Sequence, residues 1–262
     1  MIVIHKSSII HQNAKVSATV EIGPYVVIGP EVTISDNVII HSHVNISGKT
    51  TIGKGCKIFP FASIGNEPQD LKYNGEKTKL IIGENNIIRE YVTINPGTEG
   101  GGGVTQIGNN CLFMISSHIA HDCKIGNNVV IANNVPIGGH GIIEDDVIIG
   151  GNAAVHQFTR VGKLAMIGGM TGVTTDVIPY GLSLGNRNYL EGINLIGLRR
   201  KNIPNKDILE LTSAYKEIFK TNKLNDNLNK LNGEFKDNKL VNDIIKFINK
   251  DKKRPICTPF TK

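Results

Sequence analysis

An aliphatic residue, or in one case a phenylalanine, returns at every sixth position along most of this chain. The first run is Ile4, Ile10, Val16, Ile22, Ile28, Ile34, Ile40, Ile46, Ile52, Ile58 and Ile64, and a second is Ile82, Ile88 and Ile94. A third begins one residue out of phase at Ile107 and continues without a break to Val173. A small or medium-sized residue usually stands four places after each of these residues.

A period of six matches neither an amphipathic helix nor a plain alternating strand. It matches short strands that turn a corner every six residues, so that three hexads form a coil of about 18 residues. Stacked coils make a parallel β-helix whose aliphatic and small residues point inward. The sequence therefore predicts a mainly β fold over residues 1–185, with Cys56, Cys111 and Cys123 as inward-pointing core residues.

Two segments interrupt the repeat, near residues 65–81 and 95–106. Loops that leave a regular scaffold often carry function, so both are candidates for substrate contacts. The glycines at 100–103 do not form a phosphate-binding loop, because no Gly-Lys-Ser/Thr follows them. We interpret this second segment as a flexible excursion.

After residue 186 the apolar spacing becomes helical. Residues at three- and four-residue intervals are Ile208, Leu211, Tyr215, Ile218 and Phe219, and then Leu240, Ile244, Phe247 and Ile248. These indicate a small α-helical domain at 186–262 that covers the last edge of the β-helix.

Charge is divided unevenly between these regions. Residues 1–185 contain 12 Lys and Arg against 14 Asp and Glu, whereas residues 186–262 contain 17 against 9. A basic tail suits an acidic protein, a phosphorylated ligand or an anionic membrane surface. Nucleic acid is not favoured, because neither a zinc-finger spacing nor an aromatic RNA-binding signature is present. No apolar run reaches transmembrane length and no C-x-x-C pair occurs, so we expect a reduced, cytoplasmic protein without a transmembrane segment.

Half of the eight histidines lie between residues 113 and 158, namely His118, His121, His140 and His156. In 18-residue coils, His121, His140 and His156 fall near one corner of three successive coils, and His118 falls at the preceding corner. Coils stack at about 4.8 Å, which predicts roughly 5–7 Å between His121 and His140. The same stacking places Gly139 one coil from His121, and Asp122 one coil from His140.

This cluster has the composition of a general-base site. A neutral imidazole can take a proton from a hydroxyl, a neighbouring carboxylate can orient it, and a glycine N–H can face an oxyanion. Isolated surface histidines and a metal site are the alternatives, the latter with Asp122 as its only nearby carboxylate ligand.

The hexads resemble those of the hexapeptide-repeat acyltransferases, whose parallel β-helix is left-handed. More specific strings are QDLKYNGE at 69–76, IAHDCKIGN at 119–127, GGH at 138–140, AVHQF at 154–158 and NLIGLRRK at 194–201. They resemble the UDP-N-acetylglucosamine O-acyltransferase family along nearly the whole chain. That resemblance implies transfer of an (R)-3-hydroxyacyl group from acyl carrier protein to the 3-hydroxyl of UDP-N-acetylglucosamine, the first step of lipid A synthesis.

The resemblance also implies a homotrimer without metal or cofactor, and it assigns roles by motif. His121 is implied to be the general base, Asp122 its partner and Gly139 the oxyanion donor. Substrate contacts are implied at His118, His140, His156 and Gln157, sugar-nucleotide contacts at Asp70 and Lys72, and uridine diphosphate contacts at Asn194 and Arg200. Gly169 resembles the position that limits acyl length, where a glycine leaves room for a longer chain.

This sequence departs from the family pattern in the tail, where Ile196 replaces an acidic residue and Lys201 replaces a second arginine. The same base and oxyanion donor would also serve a 3-amino sugar nucleotide, giving an amide. A β-helix that only binds through a flat face is the alternative from another class, but the threonines are too scattered for a regular binding face.

Overall fold

The computed structural model describes residues 3–221, 223–231, 235, 237–250 and 254–260. Its β region consists of three sheets, A, B and C, and the chain visits them in that order in each coil as far as Arg160–Val161. Pairing is parallel from coil to coil, with Ile119 beside Ile137 and Ile137 beside Val155. The predicted 18-residue coil is therefore confirmed.

Most strands contain only two residues. Sheet A contains Val3–Ile4, Glu21–Ile22, Ile39–Ile40, Lys57–Ile58, Ile87–Ile88, Leu112–Phe113, Val130–Ile131, Ile148–Ile149, Met166–Ile167, Gly181–Leu184 and Tyr189–Ile193. Sheet B contains Ile9–Ile10, Val27–Ile28, Asn45–Ile46, Ser63–Ile64, Thr93–Ile94, His118–Ile119, Pro136–Ile137, Ala154–Val155 and Gly172–Val173. Sheet C contains Lys15–Val16, Thr33–Ile34, Lys49–Ile52, Lys79–Ile82, Val104–Ile107, Lys124–Ile125, Ile142–Ile143 and Arg160–Val161.

The second residue of almost every strand points into the prism enclosed by the three sheets. Between Ile22 and Val173 these residues are almost completely buried. The small residue four places after each of these aliphatic residues is usually buried as well. At one such position, burial raises the pKa of the Cys123 thiol to about 12. The inward placement of Cys56, Cys111 and Cys123 is thus confirmed, and their thiols are poor nucleophiles at neutral pH.

From the second coil onward, most corners between sheets contain a residue with left-handed backbone conformation. At the C–A corner these residues include Asn37, Asn85, Asn110, Asn128 and Asp146. Asparagine and aspartate adopt this conformation more readily than other non-glycine residues, because their short polar side chains hydrogen-bond locally. The sharp turn required every six residues therefore explains the many asparagines in the repeat.

Two loops leave the B–C corner. Ile64 pairs with Ile94 and Ile94 with Ile119, so these two coils are longer than the others. The first loop occupies residues 65–78 and the second 95–103, because four-residue strands already begin at Lys79 and Val104. The loop ends predicted near 81 and 106 lie three residues too late. A hexad count marks only the last inward residue of each strand, so it misses the first residues of a four-residue strand.

The helical region contains α1 (Leu195–Arg200), α2 (Asn205–Ile218), α3 (Leu224–Lys230) and α4 (Lys239–Lys250). The spacing predicted α2 and α4 but not the shorter α1 and α3. Residue 186, proposed as the domain boundary, lies in the turn between the antiparallel strands Gly181–Leu184 and Tyr189–Ile193. Among the described residues, no helix is long and apolar enough to span a membrane.

A buried ion pair in the last coils also holds helix α4 through its arginine. Arg160 Nε donates to Asp176 Oδ2 at 2.7 Å, and Arg160 Nη1 donates to the Phe247 carbonyl at 3.0 Å. Because both charged side chains are buried, loss of either partner would leave an uncompensated charge.

Candidate active site

The B–C corner brings the predicted catalytic residues together. His121 lies in the turn after strand His118–Ile119, and its Nδ1 is 2.8 Å from Asp122 Oδ2. The rings of His121 and His140 are 5.1 Å apart and nearly perpendicular. The predicted separation of these two rings is confirmed, because stacking of successive coils determines it.

Gly139 lies directly against the His121 ring. A Cβ atom built on Gly139 would be only 2.7 Å from His121 Nε2, so no larger residue fits without a shift. In the described part of the chain, the Gly139 N–H donates no hydrogen bond to protein. It is therefore available to an oxyanion formed beside His121.

The carboxylate of Asp122 is held on all sides. It accepts from the Thr98 backbone N–H at 3.0 Å and from Thr98 Oγ1 at 2.6 Å, in addition to His121. Thr105 Oγ1 accepts from the Asp122 backbone N–H at 2.8 Å. Since Asp122 accepts from His121 Nδ1–H, the neutral ring presents Nε2 as its free base.

Asp70 reaches the other side of the same imidazole. Its Oδ2 lies 4.0 Å from His121 Nε2, and its Oδ1 accepts from the Lys72 backbone N–H at 3.0 Å. Asp70 and Lys72 line a cavity of about 740 Å³, together with Asn74–Glu76, Thr98–Gly101, His140 and Phe158. The first loop thus places a second carboxylate beside the His121 imidazole.

His118 belongs to sheet B, so its predicted position at a corner was wrong. The error arises because the residue just before an inward aliphatic is the outward residue of the strand. Its Nδ1 is 2.7 Å from Thr93 Oγ1. Burial lowers the pKa of His118, and the neighbouring His121 lowers it further, so this ring is neutral at physiological pH.

His156 and Gln157 occupy the next coil and contact the end of the chain. Arg254 Nη2 is 2.7 Å from His156 Nδ1 and donates to the Gln157 carbonyl at 3.0 Å. His140 stacks on Phe158 with ring centroids 4.3 Å apart. Along the B–C corner, the His121 and His140 rings are therefore followed by the Phe158 ring, and Arg254 lies against His156 in the same coil as Phe158.

Three predicted site residues, Asn194, Arg200 and Gly169, do not lie at the B–C corner of the same chain. Asn194 caps α1, accepting from the Gly197 N–H at 3.0 Å and donating to the Leu164 carbonyl at 2.9 Å. Arg200, with Ile148, Met166 and Ile193–Gly197 among others, lines a second, largely apolar cavity of about 690 Å³. This cavity lies on sheet A, opposite the B–C corner, and Gly169 lies at the A–B corner.

The sequence did not identify Thr98, Thr105, Phe158 or Arg254 as neighbours of the site. Phe158 could have been found, because it follows His140 by 18 residues at the same corner. The spacing of Thr98, Thr105 and Arg254 does not indicate that they lie near the site. The fold of the second loop and the packing of the C-terminal tail place them there. The segment at 95–103 contains the 3₁₀ helix Glu99–Gly101.

His121, Asp122 and His140 lie close enough together to share a metal ion. However, Asp122 already accepts hydrogen bonds from Thr98 and His121, so its oxygens are committed. This donor arrangement favours an oriented imidazole base over a metal centre.

The three parallel sheets built from six-residue repeats define a β-helix of the hexapeptide acyltransferase class, and its match to solved relatives makes it left-handed. The family model for bacterial transferase hexapeptides matches residues 105–139, and the model for domain 2 of UDP-N-acetylglucosamine O-acyltransferase matches 176–257. The resemblance inferred from the strings is therefore confirmed in both parts of the chain.

Similar proteins match a larger part of the chain than the two family models do. An acyl-[acyl-carrier-protein]–UDP-N-acetylglucosamine O-acyltransferase of Rhizobium rhizogenes is 45% identical over 82% of this chain and 80% of its own. One from Paracoccus denitrificans is 49% identical, over 62% of each chain. A crystal structure of a UDP-N-acetylglucosamine acyltransferase has a TM-score of 0.94 at 41% identity and covers 98% of this chain and 99% of its own. The chain belongs to the UDP-N-acetylglucosamine O-acyltransferase family.

Proposed function

We propose that this protein transfers an (R)-3-hydroxyacyl group from acyl carrier protein to the 3-hydroxyl of UDP-N-acetylglucosamine, the first step of lipid A synthesis. The observation that carries the mechanism is the His121–Asp122 pair, 2.8 Å apart, with Gly139 against the imidazole ring. The family relationship supports the choice of substrates.

His121 is the general base in this proposal. Its Nε2 takes the proton of the 3-hydroxyl while that oxygen attacks the thioester carbonyl, and Asp122 stabilises the imidazolium that forms. The Gly139 N–H stabilises the oxyanion of the tetrahedral intermediate. Collapse of the intermediate breaks the C–S bond, and His121 returns the proton to the departing thiolate. No covalent acyl-enzyme is required, and Cys123 is too deeply buried to form one.

The acceptor would bind in the 740 Å³ cavity between the two loops. Asp70 is close enough to the base to orient a sugar hydroxyl, and Lys72 supplies a positive charge for the diphosphate. His118, His140, His156 and Gln157 lie along the same corner or the adjoining strand and would contact the two substrates.

We infer that the complete site is shared between copies of the chain in a homotrimer. Within one chain, Asn194, Arg200 and the apolar cavity lie on sheet A, on the opposite side of the prism from His121. Sheet A also presents an outward apolar stripe, which consists of Ile87, Leu112, Val130, Ile148 and Met166 and is bounded by Lys57 on the preceding strand. Such a stripe suits a neighbouring copy whose B–C corner faces it, with the acyl chain and Gly169 between them.

The basic tail suits the acidic carrier protein, because complementary charge speeds encounter. Lys201, Lys239 and Lys246 of the tail, together with Lys163 of the β-helix, line a cavity of about 680 Å³ beside the second one. Other tail lysines, including Lys236 and Lys252, lie outside the described residues. We place the reaction in the cytoplasm, consistent with the free thiols of all four cysteines.

A transfer assay with purified protein tests this proposal. We expect ester formation from several 3-hydroxyacyl carrier proteins with UDP-N-acetylglucosamine as acceptor. Faster reaction with the 3-amino analogue would change the assignment of the acceptor, and no product with either acceptor would refute an acyltransferase role. Light-scattering mass should correspond to three chains, whereas a monomer would contradict the shared site.

A further inference from the structure

The second loop wraps the carboxylate that orients His121. Its residue Thr98 donates twice to Asp122, from the backbone N–H at 3.0 Å and from Oγ1 at 2.6 Å. His121 Nδ1 approaches the same oxygen, Oδ2, as the Thr98 hydroxyl. Three donors thus determine where the carboxylate lone pairs point.

The carboxylate is tightly packed. Asp122 is 5% exposed, and a Cβ atom on Gly101 would lie 2.0 Å from its carboxylate oxygen. On the backbone side, Thr105 Oγ1 accepts from the Asp122 N–H at 2.8 Å. The loop can therefore close over Asp122 only because residue 101 is glycine.

The loop is in turn fixed to the first loop. Glu76 accepts from the Glu99 N–H at 3.3 Å and from the Asn74 N–H at 2.8 Å. Asn95 Nδ2 donates to the carbonyls of Asn66 and Glu67, both at 3.1 Å. Since Thr98–Gly101 also line the acceptor cavity, the segment that holds Asp122 is the one that an acceptor would contact.

We propose that Thr98 is a positioning residue, which fixes the Asp122 carboxylate so that His121 keeps its Nδ1–H tautomer and points Nε2 at the acceptor. This inference rests on the proposed role of His121 as the base. A buried carboxylate that loses a strong donor either rotates or recruits another, and both changes alter its bond to His121. Thr98 itself touches neither the acceptor hydroxyl nor the thioester in this role.

Three variants test the proposal. Thr98→Val keeps the β-branched shape and the backbone donor but removes the hydroxyl, whereas Thr98→Ser restores a hydroxyl. Thr50→Val is the matched control, because Thr50 is also buried, in the sheet C strand Lys49–Ile52, and donates to the Ser47 carbonyl at 2.6 Å, away from Asp122. We expect Thr98→Val to lower kcat about 10- to 100-fold with KM nearly unchanged, the range for losing one buried hydrogen bond to a charged group.

Thr98→Ser should recover most of the turnover, and Thr50→Val should keep it. The readout independent of activity is NMR of ¹⁵N-labelled histidine, in which the Nδ1 and Nε2 shifts of His121 report the tautomer. Thr98→Val should show a mixture of tautomers where the unmodified chain shows one, and the acidic side of its pH–kcat profile should move.

Unchanged turnover and unchanged His121 nitrogen shifts in Thr98→Val would overturn the proposal. So would equal losses in Thr98→Val and Thr98→Ser, or a loss of turnover while the nitrogen shifts stay those of the unmodified chain. If the unmodified chain transfers no acyl group, the proposed function fails, and the NMR comparison alone still decides whether Thr98 controls the His121 tautomer.

Discussion

The C–A and B–C corners share a backbone conformation and differ in the side chains placed on it. Asn128 at the C–A corner and His140 at the B–C corner have φ angles of 56° and 60°. Asparagine is among the residues best suited to this left-handed turn, whereas histidine gains less from it. At the C–A corner the residue type follows the needs of the turn, and at the B–C corner it follows the chemistry.

The A–B corner shows that an unusual residue in this position does not by itself mark an active site. There Tyr25, His43, Phe61 and Tyr91 form a ladder of rings with centroids about 5 Å apart. Ring stacking offsets part of the cost of the left-handed backbone. What distinguishes the B–C corner is the combination of an imidazole, a carboxylate already bonded to it and a glycine beside the ring.

The largest expected effect comes from removing that imidazole. His121→Ala should lower kcat by about 10²- to 10⁴-fold, the usual contribution of a general base, while the coils remain folded. Steady-state transfer assays and circular dichroism measure the two parts of this prediction. His43→Ala removes a histidine from the A–B ladder and should leave turnover unchanged. Near-normal turnover in His121→Ala would show that another group acts as the base.

A smaller loss is expected from adding a single methyl group beside the ring. Gly139 and Gly151 both immediately precede the left-handed residue of their corners, B–C and A–B respectively. A Cβ on Gly139 would meet the His121 ring at 2.7 Å, whereas one on Gly151 would meet only the Asn133 carbonyl, at 3.7 Å. We expect Gly139→Ala to lower kcat about 10- to 100-fold by displacing the ring, a shift of the kind that costs about 10²-fold in other enzymes.

Gly151→Ala should retain most of the turnover and serves as the control. The comparison would fail if both alanine variants lost activity equally, because the effect would then arise from the corner backbone and not from the base. A crystal structure of Gly139→Ala should show the His121 ring displaced from its present position.

Sequence alone was sufficient for what the repeat determines. Each inward residue and the distance between His121 and His140 follow from counting hexads, because stacked coils repeat at fixed spacing. The contacts of Asp122 with Thr98 and of His121 with Asp70 could not be obtained this way, since they depend on how two irregular loops fold back. Nor could a count of hexads show that Asn194 and Arg200 face away from His121, because their positions depend on how the hairpin and α1 pack on sheet A.

The third prediction concerns replacement of the left-handed residue at each of the two corners. His140→Asn places at the B–C corner the residue that the C–A corner favours, while removing a ring from the cavity. We expect kcat/KM to fall about 10-fold, the scale of one lost substrate hydrogen bond, and Tm to remain within a few degrees of the original.

Asn128→Ala should show the opposite result, with turnover retained and stability reduced by about 1 kcal/mol, because alanine is poorly suited to the left-handed turn. Thermal denaturation and the transfer assay distinguish the two outcomes. A strong stability loss in His140→Asn would mean that stacking on Phe158, and not chemistry, determines the residue at this corner.

The smallest expected effect concerns pH and His118. Burial, followed by the nearby His121, lowers the pKa of His118 in the folded chain, so the folded state binds fewer protons there than the unfolded chain. The stability contributed by the neutral ring is fully present above the unfolded pKa of about 6.5 and is lost as pH falls through the lower folded pKa.

His118→Gln removes this titration. Lowering the pH from 7 to 5 should therefore reduce Tm more in the unmodified chain than in His118→Gln, compared at equal protein concentration because assembly also affects Tm. An equal reduction in both would show that His118 is not a buried neutral group.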